Sequence, residues 1–301
     1  MGHLSSERYW LSFLFILSIT VFAAGQETVF PDEISTEDFS RSRDITKSGE
    51  IFSFKKYKLK HVQKPLKPRP ARAQRPAEKA AKPFDLPWDS DTTEVWKRLG
   101  ITIWRVPTGS ADEIPKRVSA ETVFAKGDRI RLSFESPTAG YLYVFDREMY
   151  GDETVGDPLL VFPTKLTRMG NNRVEAGRVI DVPGQTDRPA FFEIDPKNEK
   201  YRGELMTVVI SPEPLRDIVI PETISPFSAL LLTSIENKYI RAIGEYEIPG
   251  TSGQAYSEAE KAAGRSLTRE LTLKDPFPQT MFRVKMRAKE PMLVSFNLSM
   301  K

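Results

Sequence analysis

The chain has 301 residues, a formal net charge of +3, two histidines and no cysteine. The absence of cysteine excludes disulfides, thiol nucleophiles, iron–sulfur clusters and cysteine-ligated zinc. Because His3 and His61 are the only histidines, imidazole catalysis and histidine metal sites have little support. Residues 55–82 carry 11 Lys or Arg against one acidic residue, whereas residues 83–301 carry 29 basic and 32 acidic side chains. A nucleic-acid partner is therefore not expected.

The first 25 residues have the features of a secretory signal. Residues 9–24 are mostly apolar, follow Arg8, and are followed by Gly25. At about 1.5 Å per residue this run spans about 24 Å, which is short for a membrane helix of roughly 20 residues. We therefore predict a signal peptide over residues 1–25, cleaved near Ala23–Gln26, and a periplasmic or extracellular protein. An uncleaved membrane anchor is the alternative.

Two segments without a lasting hydrophobic period follow. Residues 26–54 mix acidic, serine and threonine residues with scattered apolar ones, and are predicted to be disordered. Residues 55–87 are basic and rich in proline, which predicts an extended linker. Within it, residues 55–83 are either a solvated spacer or an arm that contacts an anionic cell wall or membrane surface.

Residues 88–301 are predicted to form one β-rich domain, because apolar side chains recur there at every second position. In 129–136, Ile130, Leu132 and Phe134 share one face while polar residues share the other, as in a strand with one buried face. Strands are predicted over 99–106, 117–125, 129–136, 141–148, 158–163, 178–183, 190–194, 203–211, 280–288 and 292–300.

Local signals predict how these strands connect. Tight turns at 125–128 and 137–140 would join three strands into a β-meander, and the last two strands would form a terminal hairpin. Ser225 before Pro226 predicts the start of one helix. Ser257 with Glu260 is a capping box that predicts a second. The predicted fold is mainly β: an antiparallel β-sandwich, immunoglobulin-like or related, with two added helices near the C-terminus.

The segment 124–148, followed at a distance by the segment 158–164, resembles the Domain of Unknown Function 4384 family. The resemblance covers about 100 residues, roughly 115–215. The matching positions are Gly127, Asp128, Gly140, Tyr141, Leu142, Tyr143, Val144, Phe162 and Pro163. It implies a bacterial, β-rich and exported protein. It implies no reaction and no ligand.

Candidate binding residues are few. Asp146 and Glu148, with Asp152, Glu153 and Asp157, form an acidic loop that would hold calcium, supply a glycosidase acid and base, or be a solvated surface. Tyr141, Tyr143 and Phe145 alternate on one strand face, and would either bind a sugar or partner strand or fill the core opposite Ile130, Leu132 and Phe134. No nucleophile elbow, phosphate-binding loop or dinucleotide motif is present, so we expect no catalytic residues, cofactor or metal.

The sequence favours a non-catalytic, exported binding or scaffolding module of the bacterial cell envelope. Its expected partner is another envelope protein, with residues 55–83 near an anionic surface. Two alternatives remain open: a carbohydrate-active hydrolase that uses Asp or Glu, and an adhesin or filament subunit that pairs through edge strands.

Overall fold

The computed structural model describes residues 28–43, 56–64, 93–109, 114–265, 271–272 and 275–301. The predicted signal peptide and residues 65–92, with the prolines of the predicted linker, lie outside the described residues. None of the helices within these ranges is long and apolar enough to cross a membrane.

Short strands dominate the described chain, and three α-helices interrupt them. In chain order the elements are β1 (Glu33–Ser35), α1 (Glu37–Ser42), β2 (Lys56–Gln63), β3 (Glu94–Val106), β4 (Lys116–Val118), β5 (Val123–Phe124), β6 (Arg129–Glu135), β7 (Gly140–Tyr150), β8 (Leu159–Phe162), β9 (Arg173–Val174), β10 (Val179–Val182), β11 (Phe192–Glu193), β12 (Tyr201–Ser211), β13 (Ser225–Pro226), α2 (Ala229–Tyr239), β14 (Ile243–Glu247), α3 (Glu258–Arg265), β15 (Thr280–Arg287) and β16 (Met292–Met300).

The strands form two sheets. Sheet A has the order β1-β2-β14-β15-β3-β6-β10, with β4 beside β3 and β11 beside β6. Sheet B has the order β13-β8-β7-β12-β16-β5, with β9 beside β7. The described pairings are antiparallel except that between β5 and β16. The predicted mainly β, sandwich-like fold with helices near the C-terminus is confirmed.

The main hydrophobic core lies between the two sheets. From sheet A, Ile130, Leu132 and Phe134 of β6 are buried there, as their spacing predicted. From sheet B, Leu142 and Val144 of β7 are buried in the same cluster. Each such side chain contributes about 1.5–3 kcal/mol by leaving water, so the two apolar strand faces hold the layers together.

The predicted meander and terminal hairpin are both wrong, although their strands are present. β6 belongs to sheet A and β7 to sheet B; likewise β15 belongs to sheet A and β16 to sheet B. The short connections therefore cross from one sheet to the other. Both members of each pair bury apolar side chains in the core between the sheets. An alternating strand can bury its apolar face in this core from either sheet. The predicted strand 117–125 is also interrupted, by a turn in which Thr122 N donates to Ser119 O.

A second core covers the outer face of sheet B. Leu232, Ile235 and Tyr239 of α2 are buried against Tyr143 and Phe145 of β7. The predicted first helix is thus present, but it begins later than expected.

The N-cap of α2 is Ser228, whose Oγ accepts a hydrogen bond from Leu231 N at 3.2 Å. The predicted cap, Ser225 with Pro226, instead forms β13 and pairs with β8. The second predicted helix start is confirmed, because Glu260 N donates to Ser257 Oγ at 3.1 Å and Ser257 N donates to Glu260 Oε2 at 2.9 Å.

Residues 28–43 cover the outer face of sheet A, so the prediction of disorder for residues 26–54 is wrong for this part. Phe39 is fully buried with Tyr57 and Tyr246. Arg43 is fully buried and forms an ion pair with Glu135 of β6, with a separation of 2.6 Å. β6 is buried on both faces rather than on one. On its polar face Arg43 covers Glu135, whereas Ser133 is bonded to Trp104 and Asp181 and Arg131 donates to the carbonyl oxygen of Ala190.

The predicted linker is also wrong for residues 56–63, which form β2 between β1 and β14. Several of its basic side chains have partners within the fold. Lys60 Nζ lies 3.1 Å from Glu247 Oε2, and His61 Nε2 lies 3.1 Å from Glu245 Oε2. Sheet A therefore begins before residue 88, the predicted start of the domain.

Candidate ligand-binding site

A cavity of about 710 Å³ opens at the edge of the sandwich where β8 of sheet B and β10 of sheet A lie. Val161 of β8 and Ile180 of β10, both members of the main core, line it. The loops 164–173 and 183–191 form much of its wall, and Thr223 and Ile224 complete it. Small-molecule sites in proteins have volumes of about 300–1,000 Å³, so this edge cavity has the size of a ligand site.

Hydrogen bonds within the loop after β8 fix its shape. Thr167 N donates to Thr164 Oγ1 at 3.2 Å, and Gly170 N donates to Thr164 O at 3.1 Å. Arg168 and Met169 both have positive φ, 52° and 54°. Such a conformation costs about 1–3 kcal/mol for a residue with a side chain. The loop therefore holds two successive residues in an unfavourable backbone conformation beside the cavity.

Arg168 has the most unusual environment in the cavity wall. Its Nε and Nη1 atoms are buried and have no hydrogen-bond partner among the described residues. Burial lowers the pKa of its guanidinium, and the nearby charge of Arg178 acts in the same direction. A buried donor without a partner costs about 1–3 kcal/mol, and more when it is charged.

The acidic groups of the cavity wall already have partners. Arg178 Nε lies 2.8 Å from Glu175 Oε2. Asp187 Oδ2 accepts a hydrogen bond from Gly184 N at 2.6 Å.

Asp181 belongs to a buried polar network behind the wall. Its carboxylate accepts hydrogen bonds from Ser133 Oγ at 2.5 Å, Gln185 Nε2 at 2.6 Å and Tyr256 Oη at 2.8 Å. Ser133 in turn accepts from Trp104 Nε1 at 2.7 Å. Burial raises the pKa of Asp181 and these hydrogen bonds oppose the rise. The network fastens β10, which lines the cavity, to β6 and to Tyr256, two residues before α3.

Apolar side chains surround the mouth of the edge cavity. Leu166 is 67% exposed, Met169 is 84% exposed and Ile224 is 45% exposed. All three line the cavity, together with Phe191 and Phe192. Large apolar side chains grouped at a concave surface are typical of ligand or partner sites.

The predicted candidates Tyr141 and Tyr143 do not form an exposed aromatic surface. Tyr143 is buried beneath α2, and its hydroxyl oxygen accepts a hydrogen bond from Leu215 N at 2.9 Å. Tyr141 is partly buried and packs against the same cluster. The expectation that these rings fill a core is met, but this core lies outside sheet B rather than opposite Ile130, Leu132 and Phe134.

The predicted candidates Asp146 and Glu148 lie at one end of β7, where Glu148 is in register with Glu204 of β12. Burial and the charge of Glu148 raise the pKa of Asp146 to about 6, although its hydrogen bond with Glu204 opposes the rise. Burial and the charges of Asp146 and Glu148 raise the pKa of Glu204 to about 9. Glu148 accepts a hydrogen bond from Tyr150 Oη, and Glu204 accepts one from Tyr201 Oη. Asp146 and Glu204 are hydrogen-bonded to each other, and two neighbouring carboxyl groups hold a proton more readily than either does alone.

The other acidic residues of the predicted loop do not form a metal site with these carboxyl groups. Asp152 Oδ1 accepts a hydrogen bond from Thr154 Oγ1 at 2.6 Å within its own turn. Within the described ranges, no three His, Asp or Glu side chains are grouped so that they could hold a metal ion.

No protein-family model matches the chain, and neither the curated proteins nor the solved structures gave a significant match. The resemblance to the Domain of Unknown Function 4384 family therefore stays a prediction.

Several positions of that resemblance have clear structural roles. Gly127 has φ of 85° in the turn before β6, where Asp128 Oδ2 accepts a hydrogen bond from Ala125 N at 2.8 Å. A side chain at Gly140 would lie 2.8 Å from Ser211 O. Phe162 is buried in the main core and precedes Pro163 through a cis peptide bond. These residues shape turns and the core, and of the matching positions none lines the edge cavity.

Sequence reasoning missed the edge cavity. The sequence predicts no strand or helix for residues 164–177 or 184–189, which form much of the cavity wall. The available signal was the spacing of Arg168, Arg173 and Arg178, five residues apart along a loop that also contains Leu166 and Met169.

Proposed function

We propose that this protein is a non-catalytic binding module of the bacterial cell envelope, and that it holds a small organic molecule in the edge cavity. The observation that carries the proposal is a cavity of about 710 Å³ that has an exposed apolar rim and is lined by Arg168, two of whose guanidinium nitrogens are buried without a partner among the described residues. Export is proposed from the apolar run of residues 9–24 and from the family resemblance.

The chemistry of the cavity wall favours binding over catalysis. Its carboxylates, Glu175, Asp181 and Asp187, already accept hydrogen bonds or pair with arginine. A general base must be able to reach a substrate proton, and these groups are occupied by the protein itself. The groups left to meet a ligand are guanidinium donors and apolar side chains, which orient and hold a molecule.

The proposal is tested by filling the cavity mouth. Ile224→Trp adds an indole where the side chain already lines the cavity. Val219→Trp is the matched control, because Val219 is 85% exposed and does not line the cavity. The neutral fluorescent dye N-phenyl-naphthylamine serves as the ligand probe.

Saturable binding of about one dye per chain is expected for the unmodified protein and for Val219→Trp, and strongly reduced binding for Ile224→Trp. Circular dichroism of each variant checks that the β fold is retained. Failure of the dye to bind the unmodified protein, or equal binding by both tryptophan variants, would contradict the proposal.

A further inference from the structure

The donors of Arg168 identify the chemical group that the edge cavity recognises. A guanidinium presents five N–H donors in a planar fork that matches the oxygens of a carboxylate or phosphate. The Nε and Nη1 atoms of Arg168, which lie on different edges of the fork, are buried without a partner among the described residues. Burying these donors without an acceptor is unfavourable, and an oxyanion bound in the cavity beside Arg168 would compensate the guanidinium charge.

The surrounding charges favour an anion over any other acceptor. Arg173, Arg178 and Arg188 line the same cavity as Arg168. Glu175 is paired with Arg178, and Asp181 accepts its hydrogen bonds from Ser133, Gln185 and Tyr256 as described above. The wall thus contains four guanidinium groups and three carboxylates. Each of the three carboxylates has a partner within the wall or behind it.

The backbone around Arg168 indicates that its position is maintained at a cost. Arg168 and Met169 both have positive φ, which side chains larger than glycine rarely adopt. Strained backbone of this kind is often found at ligand sites, where the surrounding structure enforces it. Arg168 lines the cavity, and Met169 is exposed at its rim.

We infer that the ligand of the edge cavity is an amphipathic organic oxyanion, with its anionic group on Arg168 and its apolar part against Leu166, Met169 and Ile224. The inference rests on the proposed binding function and adds the ligand class and the residue that recognises it. The apolar part follows from the exposed rim. A ligand that covers these apolar side chains removes their surface from water, which favours binding.

The test compares two dyes that differ chiefly in charge: anilinonaphthalene sulfonate, an amphipathic oxyanion, and N-phenyl-naphthylamine, its uncharged counterpart. Both are titrated into the unmodified protein and into Arg168→Met, Arg168→Lys and the control Arg216→Met. Arg216 is exposed and does not line the cavity. The neutral dye reports whether each variant keeps an intact cavity.

For Arg168→Met, the dissociation constant of the sulfonate should rise by about tenfold or more, the size expected for losing a charge-assisted contact. Binding of the neutral dye should change little. Arg168→Lys should recover part of the loss because it restores the charge without the fork. Arg216→Met should bind both dyes as the unmodified protein does.

Competition against the sulfonate then distinguishes possible ligands. Octanoate and octyl phosphate should displace it at lower concentrations than octanol, and the stronger of the two shows whether a carboxylate or a phosphate is preferred. Equal competition by octanol would overturn the inference, as would equal loss of both dyes in Arg168→Met. If neither dye binds the unmodified protein, the proposed binding function itself fails.

Discussion

Replacing Arg43 with methionine should destabilise the protein far more than a typical change near a chain terminus. The guanidinium of Arg43 donates to both oxygens of Glu135, at 2.8 and 2.6 Å. It also donates to the carbonyl oxygens of Asp275 at 2.7 Å, Pro276 at 3.1 Å and Thr272 at 3.3 Å. These five hydrogen bonds use the full donor capacity of the side chain.

The expected magnitude follows from the burial of the partner. The side chains of Arg43 and Glu135 are 0% and 3% exposed. Arg43→Met would leave the Glu135 carboxylate buried without a compensating charge, which costs about 3–5 kcal/mol for a buried ion pair. Changing both residues, as Arg43→Met with Glu135→Gln, should cost less than the sum of the single changes, because no uncompensated charge remains.

Urea unfolding monitored by tryptophan fluorescence measures the effect. With an m-value of about 2–3 kcal/mol per molar urea, the midpoint should fall by about 1–2.5 M. Arg41→Met is the matched control, because Arg41 is 71% exposed in its pair with Glu37. Exposed pairs of this type contribute no more than about 0.5 kcal/mol.

The double-mutant cycle separates the ion pair from the carbonyl contacts. If Arg43→Met shifted the midpoint no more than Arg41→Met does, the buried ion pair would not hold residues 28–43 against sheet A. Limited proteolysis gives a second readout, since release of this segment should make it more susceptible to cleavage in Arg43→Met.

Three further changes have defined outcomes. Raised carboxyl pKa values mean that the folded state binds protons more tightly than the unfolded state, so stability falls as pH rises above about 4. Glu204→Gln, beside Asp146, should therefore gain stability relative to the unmodified protein between pH 5 and 8. A difference in unfolding free energy between the two proteins that stays the same over this pH range in urea unfolding would refute this. Gly203→Ala would place Cβ 2.0 Å from a carbonyl of β16 and should lower the melting temperature far more than Gly250→Ala, which meets no atom within 4 Å although its φ is also positive; similar melting temperatures would contradict that. Tyr143→Phe should cost about 1–3 kcal/mol by leaving a buried amide without its acceptor, and a loss below 0.5 kcal/mol in the same assay, roughly the experimental error, would count against that hydrogen bond.

Strand positions and the polarity of their faces could be predicted from the sequence because they depend on neighbouring residues. Ile130, Leu132 and Phe134 alternate with polar residues, and the alternation places them in the core whichever sheet β6 joins. The capping box of Ser257 and Glu260 was predictable for the same reason, since both partners lie within one helical turn. β14 was missed because Gly244 and the two glutamates of its five residues weaken the strand pattern.

The candidate site was beyond such reasoning. Arg168 could be recognised as a loop arginine, but the burial of its Nε and Nη1 atoms depends on the fold. The fold also places Arg168 in a cavity lined by residues of 183–191 and 223–224, from elsewhere in the chain. Asp146 was noticed as an acid, whereas its proximity to Glu204 depends on the register of β7 against β12.

For this protein the sequence alone determined the β class, most strand positions and both C-terminal helices. Tertiary structure decided which sheet each strand joins, the burial of residues 28–43 and the existence of the edge cavity. The physical reason is the range of the interactions. Periodicity and helix capping act between residues a few positions apart, whereas Arg43 is buried only because Glu135, 92 positions away, supplies the opposite charge.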